Sequence, residues 1–250
     1  MTGGLLLHGR IVRLFGPPTL RPRAALAAGR AEQAGQHAYR GLMRSRLLVL
    51  VSGEGTLLQH LIDACATGSV RAQIVAVGSD RYGTRAASRA ESAGIETFVC
   101  RVDDYGSRAD WDKALTEACA AYQPDLVVSA GFMKLFGPQF LDEFADRCIN
   151  SHPALLPSFP GMHGVRDALA YGVKVTGCTV FLVDSGLDSG PVVAQQAVPV
   201  HDDDDEETLT ERIKSAERAL LADTVAAMLT DGWSVTGRTV RLGGSGGSRQ

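Results

Sequence analysis

No run of apolar residues in this chain approaches the roughly 20 needed to cross a bilayer as a helix, so no membrane span is expected. Cys-x-x-Cys pairs are also missing. The five cysteines, Cys65, Cys100, Cys119, Cys148 and Cys178, are scattered and odd in number. That pattern argues against a disulfide frame or a zinc site and for reduced thiols in a cytoplasmic protein. Nor is there an excess of charge of one sign: a net −3 with 21% charged residues offers no basic surface for nucleic acid. What is present is a chain of 250 residues, 45% of them hydrophobic, enough to bury one full core.

The first 45 or so residues stand apart, with seven arginines against the single acid Glu32. A transit peptide or a flexible arm would have this composition. Met43, directly before the first strand-like segment, would make a natural start, so the stretch reads best as upstream sequence, a disordered extension over residues 1–45. The far end, 242–250, is a Gly/Ser-rich tail. The domain expected between them is 46–241.

Within that domain short apolar runs alternate with helical patterns. Residues 47–51, 73–77, 96–100, 126–129 and 147–150 read as strands, followed by 176–183 and 192–198. Segments 56–66, 84–93, 108–122, 138–144 and 205–229 carry apolar positions three to four apart and read as helices. Continuous β-branched runs flanked by helices predict a single-domain α/β fold, a mostly parallel twisted sheet covered on both faces.

The first strand runs into Ser52-Gly53-Glu54-Gly55-Thr56-Leu57-Leu58. Small residues before a helix let backbone amides approach an anion, and the helix N-terminus favours negative charge. A tight turn needing positive φ explains the glycines equally well. Leu58 stands where the third glycine of a dinucleotide fingerprint belongs, and the lysine of a nucleoside-triphosphate loop is missing. Further on, Asn150-Ser151-His152-Pro153-Ala154-Leu155-Leu156-Pro157 and Leu187-Asp188-Ser189-Gly190-Pro191 supply an amide, an imidazole and a carboxylate. Asn150 and His152 share a strand face if the chain stays extended there. Such a set can stabilise an oxyanion and move a proton. Alone, the His reads as a structural residue beside proline and Asp188 as a turn former. One His with two such neighbours is no metal cluster, so no metal is expected. The acidic run His201 to Glu207 reads as a solvated turn before the last helix.

The patterns Asn-x-His-Pro-x-Leu-Leu-Pro and Leu-Asp-x-Gly-Pro, with the Ser-Gly-x-Gly-Thr turn and Gly131-Phe132-Met133-Lys134-Leu135, resemble the folate-dependent formyltransferases from about Arg46 to about Gly237. The likeness is nearest to the branch that acts on glycinamide ribonucleotide, and it implies a Rossmann-like fold. It implies formyl transfer from 10-formyltetrahydrofolate in purine synthesis, with Asn150, His152 and Asp188 catalytic. It places the ribonucleotide on Gly55, Thr56, Leu57 and Glu217. It places the folate on Arg108, Met133, Lys134, Leu135, Phe136, Asn150 and Asp184. Leu57 departs from the family's usual asparagine, and Ser185-Gly186 makes the loop at Asp184 less acidic than in relatives. Read without the likeness, Arg108 is a solvated charge, Met133 part of an apolar loop and Glu217 an inert surface residue. Small-molecule substrates, a cytoplasmic enzyme and a homodimer are compatible with all of this. A hydrolase releasing formate from the same folate, or a non-catalytic folate- or nucleotide-binding protein, stays open.

Overall fold

A computed structural model describes residues 44–243. The arginine-rich segment and nearly all of the Gly/Ser tail lie outside these residues.

Among the described residues, nine strands and six α-helices follow in chain order. They are β1 (Ser45–Val51), α1 (Thr56–Thr67), β2 (Ala72–Ser79), α2 (Arg85–Ser92), β3 (Thr97–Val99), α3 (Arg108–Ala120), β4 (Leu126–Ser129), α4 (Pro138–Glu143), β5 (Cys148–His152), α5 (Gly164–Tyr171), β6 (Val175–Leu182), β7 (Val192–Pro199), α6 (Glu206–Asp231), β8 (Trp233–Thr236) and β9 (Thr239–Leu242). The main sheet has the order β3-β2-β1-β4-β5-β6-β7. Its pairings through β5 are parallel, and β6 and β7 pair antiparallel at the far edge. The mostly parallel α/β sheet read from the sequence is therefore what the chain forms. The order reverses between β1 and β4, and a crevice opens at the carboxyl ends of strands where an α/β sheet reverses in this way.

Alternation along β1 explains why both faces must be covered. Leu47, Val49 and Val51 pack into one core with Leu58 and Leu61 of α1 and Leu221 and Val225 of α6. Leu48 and Leu50 face a second core built on Trp111, Leu115 and Phe140 of α3 and α4. These five β1 side chains, Leu47 to Val51, are fully buried, each contributing about 1.5–3 kcal/mol.

Helix α5 and the β8–β9 hairpin stand where the sequence reading places no element. The helix is short, follows a Pro/Gly-rich loop and has no side-chain cap. The hairpin alternates half-buried and exposed positions, with its inner residues Val235 and Val240 on the first core. Strand β5 also runs on to His152 instead of ending at Asn150.

The acidic turn before α6 behaves as the sequence suggests. Asp205 caps the helix in a reciprocal capping box with Thr208. Asp204 takes a two-pronged ion pair from Arg212.

Candidate active site

Three features of the sheet meet at its carboxyl edge: the turn after β1, the loop after β4 and the end of β5. In β5 the side chains of Asn150 and His152 fall on one face and Ser151 on the other, as period-two alternation requires. His152 is buried. Its Nδ1 lies 3.4 Å from Asp188 Oδ2, and its Nε2 lies 2.8 Å from the carbonyl oxygen of Phe159. Both ring nitrogens thus face acceptors. The Asn150 carboxamide, half-buried on the same face, has no hydrogen-bond partner among the described residues.

Asp188 arrives by an indirect route. Because β6 is antiparallel, Leu182 lies beside Ile149 and Val183 donates to Cys148, at the opposite end of β5 from His152. The loop 183–191 therefore turns back along β5 to deliver its carboxylate. Asp188 sits at φ +50°, a conformation that non-glycine residues adopt at some cost. Its Oδ2 accepts the Gly161 N–H at 2.8 Å. The segment Phe159–Gly161 is thereby pinned at one end by the imidazole and at the other by the aspartate. Sequence reading missed this role of Phe159 and Gly161, because it belongs to backbone groups that carry no side-chain signature.

The turn after β1 enters α1 through Gly55 at φ +71°, with no side-chain cap and no acid in the first turn. A Cβ on Gly55 would lie 2.6 Å from Ala86 Cβ and 2.7 Å from Ala86 Cα. Glycine is therefore required twice, for conformation and for closeness. Helix α2 clasps the turn: Ala86 N–H donates to the Gly53 carbonyl, and Arg89 Nε donates to the Glu54 carbonyl. Thr56 and Leu57 open the helix, so their backbone amides are among those without an intrahelical partner. A groove of about 560 Å³ between α1 and α2, lined by Gln59, Arg85, Ser88 and Arg89, opens beside the turn and does not include His152.

The loop after β4 is held at several points. Met133 N–H donates to Ser52 Oγ at 2.8 Å. Asp80, buried after β2, binds Arg81 through both carboxylate oxygens and pairs with Lys134 Nζ at 3.4 Å. Burial alone would raise its carboxyl, but Arg81, Ser52 and Lys134 together hold it below the usual range. At the other end Asp112, buried on α3, accepts the Gly137 and Gln139 N–H groups and so caps α4 from outside. Arg108 donates to the Leu135 carbonyl and lies 4.1 Å over the Trp111 ring. It is not the freely solvated charge that the bare sequence allows. Met133 and Leu135 remain exposed apolar surface, while Phe136 stacks between Phe132 and Phe140.

Two further residues complete the census. Asp184 organises its own loop, accepting from Gly186 N–H and Ser189 Oγ. Glu217 is nearly buried, not a surface glutamate, and accepts from Ser151 Oγ at 2.7 Å. Burial pushes its carboxyl up, against the opposing pull of Ser151 and the charge of His152.

A family model described as formyl transferase matches residues 45–225. The chain belongs to the formyl transferase family. Among its relatives, a phosphoribosylglycinamide formyltransferase of Mycobacterium tuberculosis is 60% identical over 199 residues, covering 80% of this chain and 92% of that one. The protein of the same name from Escherichia coli is 40% identical, over 70% of this chain and 82% of its own. The crystal structure of glycinamide ribonucleotide transformylase 1 from Symbiobacterium toebii matches with a TM-score of 0.78 at 40% identity, covering 80% of this chain and 94% of that one. In this formyl transferase the imidazole–carboxylate pair lies by the carboxyl end of β5, the side on which open α/β sheets place their ligands.

Proposed function

We propose that this formyl transferase moves the formyl group of 10-formyltetrahydrofolate onto the amine of glycinamide ribonucleotide, a step of purine synthesis. The observation that carries the reading is buried His152 paired with half-buried Asp188, with the Asn150 amide, unpartnered among the described residues, on the same strand face. The substrate amine bonds to the formyl carbon, the bond from that carbon to the folate nitrogen breaks, and the amine proton ends on the departing nitrogen. Asn150 donates to the formyl oxygen as negative charge gathers there, an interaction worth about 10²–10³ in rate. His152 adds positive charge beside it and serves as proton donor through Nε2, which exchanges the Phe159 carbonyl for the substrate. Asp188 orients the imidazole through its Nδ1 and assists the proton's passage.

The uncapped start of α1 fits a phosphate: Gly55, Thr56 and Leu57 offer backbone amides, and no acid in the helix's first turn repels the anion. Glu217 is assigned to the ribonucleotide through the family resemblance. The loop after β4 fits a flat ring system with an acidic tail, since Met133 and Leu135 present apolar surface beside the Arg108 cation. Lys134, Phe136, Asn150 and Asp184 complete the folate side. No metal enters this chemistry. We place the enzyme in the cytoplasm, with residues 46–241 as its catalytic domain and a homodimer as a compatible assembly.

The test follows loss of 10-formyltetrahydrofolate by the purified protein with and without glycinamide ribonucleotide, beside His152→Ala. Turnover that needs the ribonucleotide and collapses in the variant supports the reading. Turnover without it makes the protein a formate-releasing hydrolase, and folate binding with no turnover makes it a binding protein.

A further inference from the structure

The β8–β9 hairpin lies beyond residue 225, where the family match ends. It is nonetheless anchored to the catalytic sheet. Trp233 Nε1 donates to the Asp146 carbonyl, and Val235, Val240 and Leu242 pack on the core beside Val193 of β7. Its turn carries Arg238, whose Nη2 donates to the Ser189 carbonyl at 2.7 Å and reaches the Gly190 carbonyl at 3.4 Å. These are the two residues directly after Asp188.

The rest of that loop is tightly determined. Ser189 Oγ binds Asp184, and a Cβ on Gly190 would fall 1.7 Å from the Leu182 carbonyl oxygen. Between these fixed points Asp188 holds its left-handed conformation, which needs neighbouring contacts to persist. Arg238 supplies the contact on the outer side, a charged donor on the two carbonyls that follow the strained residue. We propose that Arg238 is a positioning residue for Asp188: the C-terminal hairpin holds the 183–191 loop so that the carboxylate stays on His152 Nδ1. The proposal rests on the reading of His152 and Asp188 as the proton-handling pair.

A misplacement of about 1 Å in a catalytic group can cost up to about 10²-fold in rate. Arg238→Ala is therefore expected to lower kcat roughly ten- to a hundredfold with KM for the ribonucleotide within about twofold of the native enzyme, and any rise in KM for the folate, whose residue Asp184 shares the loop through Ser189, is smaller than the fall in kcat. Arg238→Lys, which keeps a charged donor at the same place, should recover most of the loss. An activity-independent readout is the Gly161 amide, which donates to Asp188 Oδ2. Its hydrogen exchange should accelerate in Arg238→Ala while thermal melting stays close to that of the native protein.

Unchanged kcat and unchanged Gly161 exchange would overturn the proposal, as would a kcat loss that only follows a fall in melting temperature. If the native protein shows no formyl transfer, the functional reading fails. The exchange experiment then still decides whether Arg238 positions Asp188.

Discussion

Ser151 and Glu217 meet on the far side of β5 from Asn150 and His152, with Ser151 Oγ 2.7 Å from Glu217 Oε1. His152 and Glu217 therefore sit on opposite sides of one strand. Burial raises the Glu217 carboxyl above its ordinary range. An unfolded glutamate ionises near pH 4.3, so above that pH the unfolded chain sheds this proton first and the raised folded value costs stability. Glu217→Gln lacks this cost. Urea melts should show the variant gaining on the native protein as pH rises from about 4.5 to 8. A variant that loses ground over that interval would mean that Glu217 is a stabilising anion.

Asn150→Ala should lower kcat by about 10²–10³ while leaving KM for either substrate largely unchanged, because in the proposed reaction its amide acts on charge that develops during the transfer. Steady-state kinetics with each substrate varied checks this. A rise in KM at constant kcat would reassign Asn150 to ground-state binding.

Gly55→Ala places a Cβ at φ +71° and within 2.6 Å of Ala86. Left-handed backbone costs about 1–2 kcal/mol for such a residue, and overpacking adds about 1–3. We expect a lower melting temperature together with weakened ribonucleotide binding, since the turn must shift away from α2. Calorimetric titration of the ribonucleotide measures the second effect, and native affinity would remove the turn from the substrate site.

Asp112→Ala strips the external cap from α4 and should cost about 1–2 kcal/mol. The same change loosens Gly137 at the end of the loop holding Met133 to Phe136. KM for the folate should therefore rise more than KM for the ribonucleotide. Equal shifts would show that the loss is one of global stability alone.

Much of this was legible from residue order, for reasons that differ by element. Continuous apolar runs such as Leu47–Val51 betray strands buried on both sides, and period-two alternation correctly places Asn150 and His152 on one face. Helix α5 escaped detection because eight residues behind a Pro/Gly-rich loop carry too little periodicity. The hairpin's weak alternation was equally easy to pass over. Glu217 read as a surface residue because a glutamate's burial depends on Ser151, which approaches only once β5 and α6 pack. The roles of the Phe159 carbonyl and the Gly161 amide are backbone roles, invisible in residue identity. Asp80 had a faint signal, an acid directly after a strand beside the point where strand order reverses, but its three partners come from separate segments.

The loop that carries Asp188 leaves β6 at Leu182 and returns at Pro191, whose carbonyl accepts the Leu182 N–H at 2.9 Å. Its two feet stand together, so it is a closed Ω-like module resting on the sheet. Because Val183 and Pro191 at those feet also hydrogen-bond to the sheet, the acid's position is set by the loop between them and by the hairpin that braces it, while the imidazole's position is set by the strand itself.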